Sequence, residues 1–72
     1  MMIKGEVKWV SGDFVREKRL YMKKSRSNLA KDVGVTESYI AKLENGVITN
    51  PTLVVLKGLS KALNVSPLEF FK

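Results

Sequence analysis

Neither cysteine nor histidine occurs anywhere in the 72 residues. The first absence excludes disulfides, thiolate metal sites and a cysteine nucleophile. The second removes the commonest general base, metal ligand and neutral-pH switch. A carboxylate-only metal site would need acids at DxDxDG-like spacing, and none is so placed. Long apolar runs are missing too: nothing approaches the roughly 20 residues needed to cross a bilayer, and no signal-peptide pattern opens the chain. Serines and lysines are present, but no nucleophile–base pair is evident and one domain of this length offers little pocket. The expectation is a cytoplasmic protein that is not an enzyme, with no cofactor, metal or small-molecule ligand.

What the chain has in excess is positive charge. Thirteen Lys and Arg stand against seven Asp and Glu, a net +6. The excess is concentrated between Arg16 and Lys31, where Arg16, Lys18, Arg19, Lys23, Lys24, Arg26 and Lys31 face one acid, Glu17. Such a local surplus is the electrostatic footprint of a polyanion partner. An ordinary solvated basic face would read the same way, so charge alone does not decide. A membrane surface is disfavoured, because the positive residues are not set opposite a continuous apolar face carrying Trp or Phe.

Periodicity divides the chain into an N-terminal arm, 1–12, and a helical domain, 13–72. Ile3, Gly5, Val7 and Trp9 alternate with Lys4, Glu6 and Lys8, the period of a short strand or extended arm. No second strand pattern exists to pair with it. It therefore packs across the helices, pairs with its copy in a second subunit, or stays partly disordered. Ser11-Gly12-Asp13 is a break in which Ser11 or Asp13 can cap a first helix, Phe14–Met22, with Phe14, Val15 and Leu20 as core contacts. Ser25 caps a second helix running to about Val33. After Asn45-Gly46 and a loop from Val47 to Pro51, a fourth helix covers Leu53–Leu63. Leu53, Leu56, Leu59 and Leu63 form its apolar face, and Gly58 marks a close-packing point. Ser66-Pro67-Leu68-Glu69 is a capping box with proline in the first turn, and opens a short fifth helix carrying Leu68, Phe70 and Phe71.

Between the second and fourth helices lies the stretch 26–45. Two helical patterns too short to stand alone are joined by a turn in which Gly34 supplies φ > 0. Thr36 offers an oxygen to the free N–H groups of the next helix. At 100° per residue, Ile40, Leu43 and Glu44 fall on the inward side of that helix. Ser38, Ala41, Lys42 and Asn45 fall on the outward side, with Glu37 and Tyr39 at the two edges. A helix pinned on one side, with small and polar residues on the other, matches the width and chemistry of a DNA major groove.

Residues 14–71 resemble the helix-turn-helix domain of the Cro/CI and XRE family, which includes lambdoid phage repressors and restriction–modification controller proteins. The resemblance rests on VREKR, SRSNLAKDVGVTESYIAKLENG and NPTLVVLKGLSKALNVSPLEF. It implies an all-α, five-helix lambda-repressor-like domain carrying the extended or β N-terminal arm. It also implies an internal ion pair between Arg19 and Glu44. Asn45 matches a phosphate ligand of the family, and Tyr39 sits where a polar side chain often reaches the DNA backbone; packing on the core rim has equal weight for Tyr39. Arg26 stands where the family usually has a glutamine that contacts phosphate and braces the recognition helix. Arginine there makes the phosphate contact charge-assisted and leaves the bracing role open. Lys23 and Lys24, at the end of the first helix, join the phosphate candidates, although both also suit the negative end of a helix dipole.

Thr36, Glu37, Ser38 and Lys42 are the candidates for reading bases. Lys42 can donate to guanine, and Glu37 can accept from cytosine, at roughly 1–3 kcal/mol of discrimination per good contact. Glu37 is stabilised by the helix dipole in any case. The function implied is a sequence-specific, double-stranded DNA-binding regulator, a repressor, acting at the nucleoid as a homodimer on a two-fold operator. Family dimers use the fourth and fifth helices, which nominates Leu68, Phe70 and Phe71; one of the two phenylalanines is equally a lid over the core. The competing class is a protein-interaction module, such as an antitoxin or adaptor that kept the fold.

Overall fold

A computed structural model describes residues 9–71. Four α-helices follow one another: α1 (Gly12–Tyr21), α2 (Arg26–Val33), α3 (Glu37–Glu44) and α4 (Leu53–Leu63), then a single 3-10 turn at Pro67–Phe70. Among the described residues there is no strand, only an isolated bridge between Val10 and Phe71. The alternating pattern of residues 1–8 lies outside the described residues. The expected fifth helix is this four-residue 3-10 turn. Its capping box is intact, with Ser66 accepting from Leu68 N and Glu69 accepting from Ser66 N, but four residues are too few to propagate α-helical hydrogen bonding.

Each helix begins on a hydroxyl. Ser11, Ser25, Thr36 and Thr52 accept from the backbone N–H three residues on, which satisfies a donor that the helix itself leaves free. Ser11, not Asp13, caps α1, so Gly12 is the first residue of the helix. The helices end in left-handed residues: Gly34 at φ 89° closes α2 and Asn64 at φ 57° closes α4. At the end of α1 the same role falls to Lys23, at φ 57°. Its N–H donates to Leu20 O while Lys24 N donates to Arg19 O, a closing pair of bonds for which glycine is the default residue.

The core consists of Val10, Val15, Leu29, Ala30, Ile40, Leu43, Leu56, Leu59, Leu63 and Phe70. α2 packs on both α3 and α4, α1 packs on α3, and the 3-10 turn closes on α4. Ala30 is buried and Gly58 meets Val33 closely, a Cβ there falling 3.2 Å from the Val33 side chain. Ala30 and Val33, three residues apart, lie on the same face of α2, and the small residues leave room for close packing there. Phe70 is fully buried and meets Phe14 edge-to-face at 5.5 Å. It is the lid over the core, and so is withdrawn from the dimer candidates. Two expected core contacts are corrected. Leu20 is 57% exposed because α1 buries the face of Val15 and Arg19, and Leu20 lies about 100° round from Arg19. Leu53 is 66% exposed, in the first turn of α4 beyond the edge of the core.

The approach of α1 to α3 depends on Gly12. A Cβ at this position would lie 2.6 Å from the Glu44 carbonyl oxygen and closer still to that of Leu43. Both are backbone atoms and cannot swing aside. Gly12→Ala is therefore expected to push α1 off the end of α3 and to destabilise the domain by about 1–3 kcal/mol, as overpacking does. Thermal or urea unfolding of the variant measures this.

Candidate nucleic-acid interface

α3 is held from within and bare without. Ile40 and Leu43 are fully buried and Glu44 nearly so, whereas Thr36, Glu37, Ser38, Lys42 and Asn45 are exposed. Ala41 is half-buried. The outward row thus carries two hydroxyls, a carboxylate, an ammonium and an amide with no bulky apolar group among them. Tyr39 is half-buried and packs against the core. Burial pushes its phenol up from 10.0, so at neutral pH it is an O–H that can donate.

The inward side of α3 carries one polar anchor. The Glu44 side chain has no exposed surface, yet its carboxylate collects three guanidinium groups. Arg19 Nε donates to Glu44 Oε2 at 2.6 Å and Arg19 Nη2 to Oε1 at 3.1 Å, a bidentate pair. Arg26 Nε donates to Oε1 at 3.2 Å. Arg16 Nε stands 3.7 Å from the same oxygen. Arg19 is itself buried and spends Nη1 on the Lys24 carbonyl oxygen at 2.9 Å, which ties the α1–α2 turn to the same cluster. Burial alone would raise the Glu44 pKa. The hydrogen bonds and charges of Arg19 and Arg26 outweigh it and hold the carboxyl below 4.5.

Two of the phosphate candidates are already engaged within the domain. Arg26 does brace the recognition helix: its Nε occupies Glu44, while its remaining nitrogens have no partner among the described residues and the side chain is 39% exposed. Arginine therefore performs the inward contact and keeps its outer donors, which the shorter glutamine could not do with charge. Lys24, by contrast, is committed to Asp32 at 2.6 Å. Such an exposed pair is worth under about 1 kcal/mol, so it can exchange, but Lys24 is not a free cation poised at the surface. The rest of the basic run is dispersed. Lys18 lies 5.7 Å from the ring centres of both Phe14 and Tyr21, while Lys23 and Lys31 are exposed with no ion pair among the described residues.

Arg16 was visible in the sequence only as one member of the basic run. Its Nη2 donates to Asn45 Oδ1 at 3.2 Å. The signal that could have found it is spacing: Arg16 lies three residues before Arg19, so a helix that aims Arg19 at Glu44 carries Arg16 alongside. Gly12 looks in sequence like a break, because sequence gives no sign of the α3 carbonyl groups passing close by.

Glu44→Gln keeps the shape of the side chain and removes its charge, leaving Arg19 buried without compensation. The expected loss is about 3–5 kcal/mol. The folded-state pKa of Glu44 is depressed, so its contribution to stability is full above the unfolded value near 4.5 and fades as pH falls through the folded value. Urea unfolding between pH 7 and pH 3 should show an acid-side loss in the wild type that is smaller in Glu44→Gln.

Among the described residues no group of acids could hold a metal ion, and no helix is long and apolar enough to cross a membrane. Residues 15–70 match the Helix-turn-helix family model. The chain is 45% identical to the HTH-type transcriptional regulator SlrR of Bacillus subtilis (strain 168), over 74% of its own length and 37% of SlrR; it thus spans well under half of that relative. The biofilm regulator SinR in complex with DNA superposes with a TM-score of 0.77 at 32% identity, covering 82% of this chain and 94% of SinR. The P22 c2 repressor in complex with a synthetic operator gives 0.80 at 34% identity, covering 85% and 91%. The capped short helices, the Gly34 turn and the buried arginine–glutamate anchor are thus set in a shared frame, and the chain belongs to the Cro/CI-type helix-turn-helix family of transcriptional regulators.

Proposed function

We propose that this chain is a sequence-specific, double-stranded DNA-binding regulator, a repressor working at the nucleoid, that binds as a homodimer with α3 in the major groove. The observation that carries this reading is the asymmetry of α3. Three of its side chains are anchored at or near zero exposure, and the opposite row is small, polar and open. A B-DNA major groove about 12 Å wide takes one such helix, and its base edges carry a distinguishable donor and acceptor pattern. SinR and the P22 c2 repressor, both similar to this chain over more than four-fifths of its length, were solved with DNA.

In this reading Thr36, Glu37, Ser38 and Lys42 meet base edges, with Lys42 donating to guanine and Glu37 accepting from cytosine. Arg26, Tyr39 and Asn45 grip phosphates at the two ends of the motif, and Lys23 adds a cation at the α1–α2 turn. Lys23 holds a left-handed backbone where glycine is the usual residue, which supports a role for its charge rather than its conformation. Lys24 is the weakest of the phosphate candidates, since Asp32 occupies it.

One recognition helix makes too few contacts for tight specific binding, which favours two copies on half-sites about 34 Å apart. α4 and the 3-10 turn packed on it leave Leu53, Val54, Leu68 and Phe71 exposed. These side chains are the proposed contact between copies, with Leu68, at 80% exposure, the most open.

Selection of bound sequences from random duplex DNA tests the reading. A two-fold consensus is expected, with Lys42→Ala losing preference at one base position per half-site while affinity for unrelated duplex stays nearly unchanged. Absence of any enrichment, or binding insensitive to salt, would sink specific DNA recognition and favour a protein-interaction role.

A further inference from the structure

Asn45 closes α3, and its backbone N–H is spent on Ala41 O at 3.0 Å. What remains to act outward is the side-chain amide, a planar group with an acceptor at one corner and an NH2 donor at the other. The two corners are opposite in effect on a phosphate: the NH2 attracts it, and the carbonyl oxygen repels it. An exposed asparagine is free to present either. Here the choice is made by a residue from another helix. Arg16, on α1, donates Nη2 to Asn45 Oδ1 at 3.2 Å, which occupies the acceptor corner and leaves the NH2 as the outward group.

Arg16 is itself held in place by Glu44. Its Nε lies 3.7 Å from Glu44 Oε1, so the planar guanidinium spans the gap between the buried carboxylate and the exposed amide. A carbonyl oxygen would not draw Arg16 there unaided, because Arg16 is 41% exposed and could extend into water. The fixed carboxylate, already anchored by Arg19, supplies the direction.

We infer that Arg16 is a positioning residue for phosphate capture: it acts through Asn45, fixing the amide so that its NH2 faces the DNA backbone at the C-terminal end of α3. This rests on the proposed DNA-binding function and adds to it a third link between α1 and the recognition helix. The ligand is a phosphate diester of the duplex. The specific need is for a fork: one nitrogen toward Glu44 and another toward Asn45. Lysine has the charge but a single donor centre, and it cannot span the two.

The test is a double-mutant cycle on the duplex enriched by the wild type, read by fluorescence anisotropy. Arg16→Ala and Arg16→Lys should each weaken binding about tenfold or more, the loss of one well-aimed hydrogen bond to a charged group. In an Asn45→Ala background the same two substitutions should cost less than about twofold, because the group they position is gone. Thermal unfolding of each variant, with Arg16→Gln as a further replacement, confirms that the fold is retained, since Arg19 and Arg26 still hold Glu44. If Arg16→Lys binds like the wild type, or if Arg16→Ala costs as much with Asn45 absent as with it present, Arg16 acts as a plain surface charge and the inference fails. No effect of Arg16→Ala also overturns it. If the wild type itself shows no salt-sensitive duplex binding, the functional reading is what has failed.

Discussion

One buried carboxylate fixes the relation of the recognition helix to the rest of the domain. Glu44 sits at the last position of α3 with no exposed side-chain surface, and it is reached from α1 by Arg19 and Arg16 and from α2 by Arg26. Apolar packing through Ile40 and Leu43 holds α3 against the core, but packing is tolerant of small rotations. A bidentate guanidinium pair is not, because two parallel bonds set direction as well as distance. A buried ion pair is weak evidence for stability in general; here its value is in setting which residues of α3 point out. The outer nitrogens of Arg26 also remain at the surface beside this anchor, where the proposed ligand carries negative charge. The same cluster therefore serves the fold and the surface.

The domain is small, and its backbone approaches matter as much as its side chains. Gly12 lets the start of α1 lie against the last carbonyl groups of α3, Ala30 is buried on α2, and Gly58 brings α4 up to Val33. Each lies where a larger residue would separate a pair of helices. With little core to spare in a chain of this length, such separations would be felt at the outward face of α3. The segment before α1 is tied in as well, by Val10 N to Thr49 O at 2.8 Å and Ser11 N to Phe70 O at 2.7 Å. Both ends of the described chain thus close over the same side of the core.

Most of this was legible in the sequence for local reasons. Ser25 and Thr36 announce helix starts, Gly34 announces the turn, and the spacing of Ile40, Leu43 and Glu44 announces which side of α3 is inward. The failures share a cause: they depend on what lies across from a residue rather than beside it in the chain. Gly12 looks like a break until the carbonyl groups of Leu43 and Glu44 are placed above it. Leu20 and Leu53 look like core residues until the buried face of α1 is seen to run through Val15 and Arg19 and the first turn of α4 to lie beyond the edge of the core. Arg16 looks like one more member of the basic run until Glu44 and Asn45 of α3 are set beside it, and the bracing contact left open for Arg26 appears only with the same carboxylate in place. The fifth helix fails for another reason, since a capping box marks a start but says nothing about length. Residue roles at the outward face stand apart from these, because they depend on a partner.

The central claim is that the face of α3 opposite Glu44 is the surface that meets DNA. Backbone amide chemical shifts, followed by NMR as duplex DNA is added, test it most directly. The largest changes are predicted at Thr36 to Lys42, with Arg26 and Asn45 moving at the two ends and the α4 face little perturbed at constant oligomeric state. Largest changes along Leu53–Leu63 and the 3-10 turn, with Thr36 to Lys42 unmoved, would contradict the account.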